Sequence, residues 1–268
     1  MSDELQWWTS ALAGLAILNV SLWGASALRL LRNGPGTRAD TEFRRLHLWL
    51  SAGYVFGCAW RSWFPVYDVP RLVVADGWTS SILVGRSVAT IAELCFAAQW
   101  ALLLRTLGAT SSARAILPLI VVAEVCSWHA VLTTGNLGHA LEESLWAVAA
   151  LVFAVALGRS REQVAPARRP LLAGAALVAL GYVVYMIGVD VPMYWARHAA
   201  EVARGHVPID VLTGIVDAAS RRVVSHRWAD WQSEWLWMTL YFSGAVWLSL
   251  ALVHTRWSIM PAPARERG

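Results

Sequence analysis

No lysine occurs among the 268 residues; all 22 basic residues are arginine. A Schiff base on lysine is therefore excluded, and with it a retinal pigment of the usual kind and a pyridoxal enzyme. Charge is also scarce. Asp, Glu and Arg together make 15% of the chain, against about 25% in an average soluble domain, while 57% is hydrophobic. A soluble molecule of this size needs a charged surface that this chain does not supply. Cysteine is limited to Cys58, Cys95 and Cys126, an odd set inside apolar runs, so no disulfide framework is expected. The start, Met1-Ser2-Asp3-Glu4, lacks the basic residues of a cleavable signal, so the first apolar run is expected to be retained. Disordered proteins, secreted disulfide scaffolds and ordinary cytosolic enzymes are excluded.

What is abundant is long apolar runs, each of a length that crosses about 30 Å of hydrocarbon as a helix. Seven are predicted: Trp8 to Leu31, Leu46 to Phe64, Ser81 to Leu104, Ala113 to Thr133, Ala140 to Leu157, Leu171 to Val189 and Trp235 to Val253. Turn residues separate them, at Asn33-Gly34-Pro35-Gly36 and at Thr134 to Gly138. With no linker of low complexity and no visible repeat, residues 1–268 read as one transmembrane, all-α domain.

Arginine placement predicts the orientation. With the N-terminus outside and the C-terminus cytoplasmic, the cytoplasmic breaks hold 14 of the 22 arginines and four acids, and everything else holds eight arginines and 14 acids. The net charge of +4 is thus explained without nucleic acid. A multi-pass protein of a bacterial inner membrane is the expected setting. The long outer segment 190–234 is predicted to form two amphipathic helices, Pro192 to Arg204 and Pro208 to Arg222. The second carries an apolar stripe of Ile209, Leu212, Ile215, Val216 and Ala219 opposite Asp210, Asp217, Arg221 and Arg222.

Ionisable groups inside spans are costly and need a partner or water. Here they gather in the outer halves: Arg61 on the second span, Arg86 and Glu93 on the third, Glu124 and His129 on the fourth, His139, Glu142 and Glu143 opening the fifth. Tyr182, Tyr185 and Asp190 lie near the outer end of the sixth, and Glu234 starts the seventh. A polar cavity in the non-cytoplasmic half follows as an expectation. Arg86 and Glu93, seven apart, share a helix face with Thr90 between them. Glu93 is expected to pair with an arginine, either Arg86 through an intervening group or Arg61. Glu124 with Trp128, and Glu142 with Trp146, are i,i+4 pairs that set a carboxyl against an indole, an apolar setting suited to a general acid. No Glu-x-x-His, His-x-x-x-His or Cys-x-x-Cys element is present, although Cys126 and His129 are three apart, and no metal is expected. His47 and His254 share the cytoplasmic end, but no haem or other cofactor is expected. Trp60, Trp63, Trp78, Trp195, Trp228, Trp231, Trp235 and Trp237 are read as an outer aromatic belt.

Two short runs resemble enzymes of isoprenoid lipids. Gly138-His139-Ala140-Leu141-Glu142-Glu143-Ser144-Leu145-Trp146 resembles the Pro-Leu-Glu-Glu element of membrane lycopene cyclases, with Ala140 where those have proline. Asp68-Val69-Pro70-Arg71 to Asp76, followed by Glu93, is similar to the Asp/Arg and Glu pattern of emopamil-binding-type sterol isomerases, with a longer spacing to the glutamate. Both resemblances imply proton-driven chemistry on an apolar lipid. The resulting expectation is an intramembrane isomerase or cyclase with Glu93, Glu124, Glu142 and Glu143 as acids and bases. Membrane lipid and an apolar small molecule would be its partners. A proton- or cation-coupled carrier or channel, and a binding or assembly subunit, are the alternatives.

Overall fold

Residues 1–32 and 38–254 are described by a computed structural model, so the predicted Asn33–Gly36 turn and Arg256, Arg265 and Arg267 lie outside the described residues. Helix α1 (Asp3–Arg32) begins with Asp3 and Glu4 and ends with Arg29 and Arg32, each sign at the helix end it stabilises. Its buried face runs Leu5, Trp8, Leu12, Ala16 and Asn19, spacings of three and four that make one stripe. Helices α2 (Arg38–Trp63), α3 (Ile82–Thr106), α4 (Thr110–Thr133) and α5 (Leu137–Ser160) follow, each packed on its predecessor.

Six helical stretches among the described residues are long and apolar enough to cross a membrane, so the chain is an integral membrane protein of the multi-pass kind. The sequence suggests seven, and α2 is the difference. It has 26 residues, but His47, Ser51, Tyr54 and Arg61 dilute its apolar content, and all four are buried. Two glycines let α2 approach α3. A Cβ on Gly57 would lie 2.7 Å from that of Ala92, and one on Gly53 would lie 2.5 Å from the Cys95 sulfur. Such small-residue contacts at four-residue spacing are how membrane helices pack without a hydrophobic driving force.

Helix α6 (Arg169–Tyr185) does not stop near Val189. It widens into a π-turn over Met186–Asp190 and continues as α7 (Val191–Ala203). Pro192 explains the turn: it cannot donate to the carbonyl four residues back, and its ring would clash there. The predicted amphipathic helix from Pro192 is thus the extension of the sixth span. A second π-turn, Tyr241–Ala245, joins α9 (Trp235–Leu240) to α10 (Val246–His254). Buried Asn19 of α1 serves this bulge, donating from Nδ2 to the Phe242 carbonyl at 2.7 Å and accepting from Trp247 Nε1 at 3.0 Å.

Helix α8 (Val211–Ser220) lies across the N-terminal end of α3 and the C-terminal end of α4. Asp210 caps it, accepting from the Thr213 N–H at 3.0 Å. The face it buries is not the apolar stripe seen in the sequence. Gly214 and Ala218 pack inward, Gly214 so close that a Cβ would sit 1.9 Å from the Leu132 carbonyl oxygen, while Leu212 and Val216 are exposed. A small sheet, unforeseen in an all-α reading, clips this region together. Strand β1 (Val66–Tyr67) pairs antiparallel with β2 (Leu72–Val73), which pairs parallel with β3 (Val223–Val224). Strands of two residues are too short to show alternation. Two apolar cores run beneath: one between α3, α4, α5 and α6, the other between α1, α2, α3, α9 and α10.

Candidate functional site

Helix α3 starts at Ser81, whose hydroxyl accepts from the Val84 N–H, and Arg86 follows one turn inside. Seven residues on, Glu93 returns to the same face. Helices α4 and α5 are joined by a tight turn with Thr134 left-handed, φ 59°. Gly138 then packs on α4, where a Cβ would meet the Cys126 carbonyl oxygen at 2.2 Å. That close approach sets Glu142 of α5 beside Glu124 of α4.

The three carboxylates converge on one nitrogen. Arg86 Nη2 lies 3.1 Å from Glu93 Oε2, 2.6 Å from Glu124 Oε2 and 3.3 Å from Glu142 Oε1. All four side chains are buried, from 5% to 11% exposed. Thr90 donates to the same Glu124 oxygen at 2.6 Å and accepts from Trp128 Nε1 at 3.0 Å. His139 Nδ1 lies 2.8 Å from Glu142 Oε2. Arg86 Nε and Glu124 Oε1 are buried without a hydrogen-bond partner. Of the two arginines expected to reach Glu93, it is Arg86 that does so, directly and with no intervening group. Arg61 instead donates to the Val66 carbonyl at 3.2 Å and meets no carboxylate among the described residues.

The other candidates are placed differently. Glu143 is half-buried on α5 and has no ion pair among the described residues. Asp190 accepts from the Tyr185 hydroxyl at 2.9 Å. The Trp146 ring meets that of Trp100 at 6.0 Å in the apolar core. His129 is exposed on the outer surface of α4, away from the acids. Glu234 belongs to a second polar group. It lies 3.3 Å from Arg197 and accepts from Trp237 Nε1 at 2.6 Å, while Arg197 covers the rings of Tyr67 and Tyr194 at 5.4 and 5.0 Å. Burial pushes the Tyr67 phenol, in the outer loop, up to about 12, aided by Glu234 and opposed by Arg197. Reading the sequence missed Arg197 because its partner is 37 positions away.

The run from Asp68 to Asp76 makes its ion pairs with α8 and the segment after it. Arg71, fully buried with φ 74°, binds Asp217 of α8 through Nε and Nη2 at 3.0 and 2.9 Å. Asp76 meets Arg222 at 2.7 Å, and that guanidinium holds its carboxyl below the usual carboxylate range. These residues staple the outer loops to one another.

Chemically, the centre is an excess of acid. One oxygen each of Glu93, Glu124 and Glu142 lie within 4.8 Å of one another, a spacing a metal ion could use, but Arg86 Nη2 already occupies the point they share. One guanidinium neutralises one carboxylate. Uncompensated buried charge costs several kcal/mol per ion, so the remainder must hold shared protons or attract a cation. Two hollows lie elsewhere, at the N-terminal end of α1 and beside the α2–α3 loop.

No protein family, curated protein or solved structure matches the chain. The two local resemblances to isoprenoid enzymes therefore gain no support from relatives, and the geometry carries the functional argument.

Proposed function

We propose that this is an intramembrane proton-transfer enzyme acting on an isoprenoid-like lipid, by isomerisation or cyclisation. The observation that carries this reading is the convergence of Glu93, Glu124 and Glu142 on the single nitrogen of Arg86. Such a cluster can give a proton from one carboxyl and accept one on another. An alkene carbon gains the proton, a neighbouring carbon loses one, and no co-reactant is consumed. The face of α3 that carries Glu93 continues into Phe96 and Trp100. Phe96 stacks on Tyr54 at 4.4 Å, and Trp100 stacks on Phe153 at 4.6 Å. A column of ring faces below the acids suits a developing carbocation. Glu93 and Glu124 are the leading acid and base, with Glu142 behind them and His139 orienting Glu142. Glu143, Tyr185 and Asp190 belong to the approach. The substrate class rests on the two local resemblances.

The same reading takes residues 1–268 as one domain with α2 as a seventh crossing, the N-terminus outside and the basic ends cytoplasmic, in a bacterial inner membrane. A proton-coupled carrier is the second reading, favoured by the surplus of buried acid around Arg86. The deciding experiment supplies purified protein in liposomes with mixed isoprenoid lipids in deuterated water. The enzyme reading predicts deuterium in a lipid C–H bond, with at least a hundredfold loss in Glu93→Gln and lipid binding retained. Absence of label with the wild-type protein, together with proton flux lost in the same variant, would establish the carrier instead.

A further inference from the structure

A different part of the molecule holds a hollow that the acid cluster does not involve. It lies at the outer end of α1, has a volume of about 440 Å³ and is lined by Asp3, Glu4, Trp7, Trp8, Trp228 and Trp235. The size falls within the roughly 300–1,000 Å³ of small-molecule sites. Four of its six lining residues are indoles, and they are set at angles to each other. Trp8 and Trp228 meet at 6.0 Å with planes 69° apart, and Trp228 and Trp235 at 6.5 Å and 48°. The walls are anchored. Trp8 is buried and donates from Nε1 to Thr239 at 3.1 Å. Trp231 backs it at 5.9 Å and donates to the Ser225 carbonyl. The Ser2 N–H donates to the His226 carbonyl at 3.1 Å, tying the chain start to the segment that carries Trp228.

The two remaining lining residues are carboxylates. Asp3 and Glu4 are exposed and form no ion pair among the described residues, while the nearest basic side chain along the 226–235 segment, Arg227, faces Asp230 at 3.9 Å. The chemistry is selective. A small hard cation wants a shell of oxygens, and ring faces supply none. An uncharged hydrocarbon would gain nothing from the acids. A weakly hydrated cation carrying methyl or methylene groups uses both, burying its carbon surface against the ring faces while their quadrupoles and the carboxylates answer its charge. We propose that this hollow binds an alkylated ammonium group, of the kind carried by a phospholipid head group or by a free choline-like solute. Its place at the tip of α1, with Trp7 and Trp235 exposed, is where head groups meet a membrane protein.

The test uses the full chain in nanodiscs of phosphatidylglycerol. Choline is titrated by calorimetry against 3,3-dimethylbutan-1-ol, its uncharged isostere. Choline should bind at least tenfold more tightly. Trp7→Ala and the double variant Asp3→Asn, Glu4→Gln should each weaken it at least fivefold. These side chains are exposed, so the variants should keep the wild-type melting temperature. Trp195→Ala, an exposed tryptophan outside the hollow, should leave binding unchanged. Equal binding of choline and its isostere, or unaltered binding in the Trp7 and acid variants, would overturn the proposal. The source is settled by doping the discs with phosphatidylcholine and weighing the released complexes. Selective retention of that lipid assigns a head group, and choline binding without such retention assigns a soluble cation. Neither binding nor retention removes the site altogether.

Discussion

Helix α3 carries two buried polar centres about three and a half turns apart, at Arg86 and Gln99, and they are built on opposite principles. At Gln99 everything is neutral. Its Nε2 donates to the His47 carbonyl at 3.1 Å and the Ser249 carbonyl at 3.2 Å, and its Oε1 accepts from the Ser249 hydroxyl at 2.6 Å. Three fully buried side chains thereby lock α2, α3 and α10 together. At Arg86 three acids face one guanidinium, with the His139 imidazole beside Glu142, and α3, α4 and α5 meet over an excess of acid. A neutral amide with its donors and acceptors used contributes structure and asks nothing of the solvent. A cluster with surplus acid must exchange protons or cations with something, and that need makes it the functional candidate.

The sharpest way to break the contrast is Arg86→Gln. It leaves three buried carboxylates without their shared guanidinium, His139 reaching only Glu142, and should cost about 3–5 kcal/mol, read as a large drop in melting temperature in detergent. Stability near wild type would mean that the acids are already uncharged and that Arg86 is not their keystone. Next comes Gln99→Leu, which strands the Ser249 hydroxyl and two carbonyl contacts and should cost about 1–3 kcal/mol without altering proton chemistry. If that variant lost deuterium transfer at unchanged stability, the division between a structural and a functional centre would fail. Glu93→Gln should behave in the opposite way, with activity gone and melting temperature within a few degrees of wild type, because an amide retains hydrogen bonding while removing surplus charge. The smallest effect is expected outside both centres. Hydrogen bonds from the Thr213 side chain and then from its backbone N–H hold the Asp210 carboxyl below the usual range. A depressed folded value stabilises above the unfolded value of about 3.9 and is lost as pH falls through the folded one. Amides of α8 should therefore lose protection, relative to their intrinsic exchange rates, only as pH falls below about 3.9, and Asp210→Ala should show that lower protection already at pH 7.

Membrane character was legible from composition and the length of the apolar runs. Arg86 and Glu93, seven apart, could be set on one face before any coordinates. Their union with Glu124 and Glu142 could not, since it depends on Gly138 pressing α5 onto α4. The same holds for Arg197 with Glu234, 37 residues apart, and for Arg71 with Asp217, 146 apart. The face buried by α8 was misread because a packed helix end rewards small residues, so Gly214 and Ala218 faced inward instead of the larger apolar stripe. The π-turn before Pro192 joined two elements that proline seemed to separate.

By itself, then, the sequence determined the solvent this protein folds in, because hydrocarbon admits only long apolar stretches whose backbone bonds close internally. It also determined which helices would bury charge. Only the tertiary structure decided which charges meet. Three acids around one guanidinium, and four indoles around a hollow, are assembled by close contacts between helices and loops distant in sequence, and no periodicity along a single helix encodes those contacts.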